Sequence, residues 1–393
     1  MQAQSAARKV WLVSQISKPF ARILLQGKIQ INSHINRTRL IATPKTRQRI
    51  FMRYLQISDS ILLSHGSGGV ESQNLITELF YPLLEGCVMG GGEDAGIGSL
   101  SQNTEKFALS TDGYVVSPLF FNGGDIGKLC VCGSCNDVAM MGAKARYLSA
   151  SFMIEEGFLI ADLKRIVESF ANTLKQSGAK LLSADTKVLP KGTLDKLFIT
   201  TTALGEFLYP HLNLSAFGIP QDCAILVSGN IGTHGAVIYS NREGIGLQSD
   251  LQSDCSLLYP VLEPLFQAKL KLYALRDATR GGIASVLNEW ANASKIGIEI
   301  DEAHLPILPQ VRGICELLGF EAYNLANEGM CMLCVAKEDA TKALEILHSQ
   351  GAPNAAIIGY TTSENATKIV LKTPFNARRY LDYPSGELLP RIC

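Results

Sequence analysis

The chain has 393 residues, 47% of them apolar and 18% charged, a composition that suits a soluble globular protein with more than one core. Its formal charge of zero hides an asymmetry: ten of the 36 Lys and Arg fall in residues 1–51, which hold no Asp or Glu, so 26 basic residues face 36 acidic ones from Met52 onward, a net of −10. That acidic body argues against nucleic acid as a substrate, and the lack of any apolar run of about 18 residues argues against a membrane span.

Residues 1–51 are Arg-rich, Ser-containing and acid-free, the composition of an organelle transit peptide or a basic arm. The simpler expectation is a disordered stretch, or one that precedes a true start at Met52, because folded-domain patterning begins abruptly near Leu55. The first residues lack the apolar core and small-residue cleavage site of a secretory signal. The ten cysteines therefore point to a reducing, cytoplasmic setting with buried or reactive thiols.

From there the pattern alternates strands and helices. A helix is predicted over 71–80, a strand over 107–111, a small-residue-rich helix over 126–141 and a strand over 145–155. Leu163, Ile166, Val167, Phe170 and Leu174 recur at helical spacing up to Gly178. Strands are expected at 181–184 and 196–204. Residues 206–221, with Pro210, Asn213, Gly218 and Pro220, read as a linker between domains at 52–205 and 222–376. The second domain repeats the alternation: a strand over 224–227, a helix after Gly232, a helix over 282–293, a strand over 329–336 and a helix over 339–349. Residues 377–393 form an extended tail whose last residue is Cys393, a thiol placed to travel and to carry a covalent group. The fold class is α/β with α+β character, in two domains.

Five clusters carry chemistry. Ser64-His65-Gly66-Ser67-Gly68-Gly69 precedes a helix, where glycines let backbone N–H groups face an anion and the helix dipole adds to the pull. The segment matches neither the Walker A loop nor the dinucleotide fingerprint. Asp94, Asp112, Asp137 and Asp185 sit in small-residue contexts at strand ends or turns, and together suit a nucleotide with Mg²⁺, which takes one or two carboxylates plus phosphates. Cys130-x-Cys132-x-x-Cys135 with Cys331-x-x-Cys334 tempts a metal assignment. On one helix, however, Cys130 and Cys132 point about 200° apart, so these are expected to be buried thiols. Arg276-Asp277-Ala278-Thr279-Arg280-Gly281-Gly282 and Asn327-Glu328-Gly329 are ordinary turns or places where charged groups face the first domain.

Taken together, these motifs resemble the hydrogenase maturation factor HypE family of the AIR-synthetase-like (PurM-like) ATP-binding superfamily. The resemblance rests on His65-Gly-Ser-Gly-Gly69, Ser110-Thr-Asp112, Pro118-Leu-Phe-Phe121, Gly123-Gly-Asp-Ile-Gly-Lys128, Asn136-Asp137 with Met140-Met-Gly-Ala143, Asp185-Thr-Lys187, Thr279-Arg-Gly-Gly282, Asn327-Glu-Gly329 and Pro390-Arg-Ile-Cys393, in that order. It covers about 55–393 and departs at Cys135 and at Glu93, where an apolar residue and a second Asp are expected.

The resemblance implies a homodimer with a shared β-barrel and an ATP site at its interface. Carbamoyl groups would arrive on Cys393 from HypF, be dehydrated to thiocyanate with ATP, and pass as cyanide to iron on the HypC–HypD complex. It further implies that His65, Gly66, Gly68, Gly69, Asn136 and the four aspartates bind Mg²⁺–ATP, that Glu328 takes a proton, and that Lys187 shuttles one or neutralises phosphate charge. Two rivals remain at this level. One is a related ATP user of the selenophosphate synthetase or thiamine-phosphate kinase type; the other is a carrier without catalysis.

Overall fold

In a computed structural model, described for residues 68–80, 93–99, 106–242, 250–386 and 392–393, a short helix α1 (Val70–Leu75) continues into a π-helical turn at Ile76–Phe80. Strands β1 (Gly96–Ser99), β2 (Lys106–Tyr114), β3 (Phe120–Phe121) and β4 (Gly124–Asp125) follow, then helix α2 (Ile126–Met140). Asp125 caps α2 by accepting from Gly127 N at 2.7 Å and Lys128 N at 3.1 Å, satisfying two of the N–H groups a helix start leaves open. Strand β5 (Lys144–Glu155), helix α3 (Ile160–Ser177), β6 (Lys180–Leu189) and β7 (Leu197–Glu206) complete the first half.

Its sheet runs β1-β2-β7-β5-β6, antiparallel except for the β5–β6 pair. The residues of β7 alternate buried and half-buried, as expected for a strand with one face on a core. Helix α2 is apolar or small all round and almost wholly buried, so it packs on more than one side. A Cβ on Gly133 would stand 2.2 Å from Tyr114 Oη, which explains the small residue where helix meets sheet. Helix α3 has a single apolar stripe and ends at Gly178 in the left-handed conformation, φ 74°. Strand β6 lies at the sheet edge with residues 180–188 all exposed.

The second half contains β8 (Cys223–Val227), α4 (Thr233–Asn241), α5 (Tyr259–Gln267), β9 (Leu272–Asp277), α6 (Gly282–Ser294), β10 (Gly297–Asp301), α7 (Pro309–Leu318), β11 (Cys331–Ala336), α8 (Ala340–Ser349), β12 (Ala356–Thr362), β13 (Ile369–Lys372) and β14 (Arg378–Tyr380). Its sheet runs β14-β13-β10-β12-β8-β11-β9, with β8 and β11 fully buried inside it. Part of the tail is thus a strand rather than free coil. Residues 58–393 pack as one unit, and the remaining unit, 1–57, lies outside the described residues, as does the expectation made for 1–51.

The thiols at Cys130, Cys132 and Cys135 on α2 and at Cys331 and Cys334 on β11 are free and buried, as expected. Among the described residues, no helix is long and apolar enough to cross a membrane.

Candidate active site

Strand ends from both halves deliver a set of carboxylates and two arginines to one place. Arg276 and Asp277 close β9, Asp112 lies on β2, Asp137 on α2, and Asp94 just ahead of β1. Arg276 Nε donates to Asp94 Oδ1 at 2.9 Å and Nη2 reaches Glu289 Oε2 at 3.1 Å. Arg280 Nη2 lies 4.0 Å from Asp112 Oδ1, linking the turn after β9 to the first half. Ser110 Oγ donates to Asp137 Oδ2.

Burial pushes the carboxyls of Asp94, Asp137 and Asp112 up from the usual range, with Arg276 and Arg280 opposing at Asp94 and Asp112. Asp277 is raised to about 6, again chiefly by burial, against the pull of Arg276. Asp137 feels Asp277, Asp94 and Asp112 as like charges. Carboxylates here outnumber the two arginines that face them.

The tail ends beside it. Cys393 is half-buried, an oxygen of its terminal carboxylate accepts from Val115 N at 2.9 Å, and Ile392 is buried in a core cluster to which both halves contribute. Burial pushes the Cys393 thiol well up, Arg280 opposing, and Glu328, Asp112 and Asp277 add to the rise. A thiol held there stays protonated, which suits a docked cargo and not a nucleophile awaiting one.

Glu328 is 3% exposed, and its Oε1 has no hydrogen-bond partner. Burial raises its carboxyl well above the usual range, with Cys255, Asp277, Asp254 and Asp112 adding to the effect. It is held there through its backbone. Asp254 accepts from Asn327 Nδ2 at 2.8 Å, Glu328 N at 3.2 Å and Gly329 N at 3.1 Å. A Cβ at Gly329 would meet Asp254 O at 1.7 Å, so only glycine admits this approach.

The remaining expected residues divide. Gly68 and Gly69 lie against the Arg280 turn and the tail: Ser285 Oγ donates to Gly68 O at 3.0 Å, and Val70 N donates to Pro384 O at 3.0 Å. His65 and Gly66 lie outside the described residues. The Asn136 amide is taken up by a loop, donating to Ser256 O at 2.9 Å and accepting from Leu258 N at 2.8 Å. Glu93 accepts from Ser215 Oγ at 2.6 Å and Ala216 N at 2.8 Å, tying it to the linker.

Asp185 and Lys187 do not join the cluster in this chain. They pair with each other at 2.7 Å on the exposed β6, with side chains 59% and 67% exposed. Among the described residues no three His, Cys, Asp or Glu side chains form a preformed metal cage. Asp94, Asp112 and Asp137 still fit a cation that arrives with phosphates, because their charges repel one another and Mg²⁺ needs only one or two carboxylates.

Two contributors escape sequence reasoning: Asp254 carries no motif, and His234 follows Gly232-Thr233 as an isolated histidine with no spacing signal. Arg276 and Arg280 lie in the cluster singled out as a turn or as facing the first domain, and their contacts with Asp94 and Asp112 bear out the second alternative.

Comparison with known proteins gives one family. Models for the N-terminal and C-terminal domains of AIR synthase related proteins match residues 92–207 and 221–372. The chain is 42% identical over 339 residues to the carbamoyl dehydratase HypE of Escherichia coli K12, covering 85% of this chain and all of that one. A crystal structure of a HypE–HypF complex matches with a TM-score of 0.74 and 40% identity, over 79% of this chain and 99% of the other. A HypE structure in complex with ATP matches with a TM-score of 0.71 and 38% identity, over 85% and 100%.

Proposed function

This chain belongs to the HypE family of carbamoyl dehydratases of hydrogenase maturation, and from that premise we propose how its residues divide the work. The substrate is a carbamoyl group on Cys393 Sγ. Its carboxamide oxygen is a poor leaving group. Transfer of the γ-phosphoryl of ATP to that oxygen, with loss of one N–H proton, gives an imidate phosphate and ADP. Removal of the second N–H proton breaks the C–O bond, expels phosphate and leaves S–C≡N.

Glu328 is the base for the last step. The observation that carries this assignment is a buried carboxyl with a free oxygen and raised proton affinity, grouped with the tail thiol. Arg280, whose charge acts on both Cys393 and Asp112, orients the cargo and balances phosphate charge. Asp94, Asp112 and Asp137, joined by Asp277, would hold Mg²⁺, which neutralises phosphate oxygens when bound. His65, Gly66, Gly68 and Gly69 cover the nucleotide in this reading.

Lys187 and Asp185 serve from the exposed β6. Leu181, Leu182 and Val188 are 40%, 69% and 68% exposed there, an apolar edge that supports the expected homodimer and its shared barrel. In that pairing the two residues of one copy would face a nucleotide shared between copies. The division into domains at 52–205 and 222–376, joined by 206–221, belongs to the same proposal. So do loading by HypF, delivery to HypC–HypD and a cytoplasmic location.

Infrared spectroscopy of carbamoylated protein tests the chemistry. ATP should bring up a nitrile stretch that disappears in Glu328→Gln. A wild-type spectrum without that band would contradict the scheme.

A further inference from the structure

We propose that His234, oriented by Ser253, is the positioning residue that latches the tail inward by gripping the main-chain oxygen of Ile392. His234 is fully buried, Ser253 is 9% exposed and Ile392 5%. The Nε2 atom lies 2.7 Å from Ile392 O, and Nδ1 lies 2.7 Å from Ser253 Oγ. A carbonyl oxygen can only accept, so Nε2 carries the hydrogen; burial lowers the proton affinity of His234, and in the neutral ring Nδ1 is then the acceptor. The Ser253 hydroxyl therefore donates to Nδ1, while its oxygen accepts from Cys255 N at 3.1 Å. The relay runs one way, from backbone through serine and imidazole to the tail. The edge-on ring of Phe121, 5.3 Å away at 87°, holds the imidazole plane.

What makes this more than a buried histidine is where its supports lead. His234 lies in the first turn of α4, and that turn also holds the segment bearing Glu328: Gly232 N donates to Asn327 Oδ1 at 2.8 Å and Gly235 N to Ala326 O at 2.9 Å. Ser253 precedes Asp254, which accepts from Asn327, Glu328 and Gly329. Segment 232–235 thus holds both the tail and the stretch that bears Glu328, while 253–255 holds that stretch and orients His234. The distance between cargo and Glu328 is set by one scaffold.

The grip is on a main-chain atom one residue before the sulfur, so it does not depend on what the sulfur carries. Bare, carbamoylated and cyanated tails meet the same grip, and undocking for loading or delivery has to break this hydrogen bond.

The inference rests on the reading of Cys393 as the substrate carrier, but its test needs neither ATP nor a carbamoyl donor. The full chain is treated with iodoacetamide, and alkylation of the C-terminal peptide is followed by mass spectrometry. The docked thiol is half-buried and burial keeps it protonated, so alkylation runs faster from an undocked tail. His234→Leu should raise the rate at Cys393 about tenfold, the effect of losing a buried hydrogen bond worth about 1.4 kcal/mol. Buried Cys132 and Cys135 should stay unreactive, which separates latch release from general unfolding. His234→Gln, which returns an N–H donor, should recover most of the protection, and Ser253→Ala should raise the rate about threefold.

Wild-type rates at Cys393 in His234→Leu overturn the latch. If that variant instead exposes Cys132 and Cys135, the decision passes to Ser253→Ala, where a wild-type rate overturns it. Failure of wild-type dehydration would sink the catalytic scheme and leave this measurement standing.

Discussion

Replacing Asp277 by Asn should make the nucleotide-free protein more stable and less able to bind nucleotide. Asp277 is 7% exposed at the end of β9, faced by Arg276 and Arg280 and by Asp112 and Glu289. Its carboxyl is raised from 3.8 to about 6, burial outweighing Arg276. A raised carboxyl binds more protons folded than unfolded, so stability falls as pH climbs from about 4 to about 6 and is flat above. A shift of about two units corresponds to a penalty on the order of 3 kcal/mol at neutral pH. Asn removes that charge and also relieves Asp137, which feels Asp277 as its largest like-charge neighbour.

Urea unfolding of the apo proteins at about pH 4 and about pH 8 gives the difference directly. The variant should gain up to about 3 kcal/mol over wild type at the higher pH and little at the lower. The same variant should bind Mg²⁺–ATP more weakly, a trade of stability against function. A variant destabilised at about pH 8, or one that leaves the wild-type pH slope intact, would refute the electrostatic reasoning.

Glu328→Gln should be carbamoylated normally by HypF yet dehydrate its cargo about a hundredfold more slowly, measured in a single turnover with ATP. Gly329→Ala should lower the unfolding free energy read from urea titration by about 1–3 kcal/mol, because the new methyl collides with Asp254 O and Ser256 Oγ. Lys187→Ala should leave stability within about 0.5 kcal/mol, as its side chain is exposed, while slowing dehydration in the same single-turnover assay.

How far the molecule was legible in its sequence depended on burial. Strands β2, β5 and β7 and helix α3 bury one face, so their apolar spacing is plain. Strand β6 reads as ending at Ala184 because Asp185, Thr186 and Lys187 are polar. In the structure it continues to Leu189, since an exposed edge strand has no buried face to impose a pattern. Arg276 and Asp277 read as a turn, or as charges facing the first domain, for the opposite reason: they are charged residues inside a strand, where Arg276 is held by Asp94 and Glu289 and its charge opposes the rise at Asp277.

Asp94, Asp112 and Asp137 announce themselves by their small-residue neighbours and do converge electrostatically. Asp185 shares the context but not the place. His234 could not be found, because a hydrogen bond to a backbone oxygen 158 positions away leaves no local trace.

The central claim is that the cargo on Cys393 loses water through phosphorylation. Carbamoylated protein incubated with ATP and Mg²⁺, then digested and weighed, tests this most directly. The C-terminal peptide should become lighter by the mass of one water, with phosphate released in equal amount. A peptide of unchanged mass, with ATP consumed or not, would contradict the account.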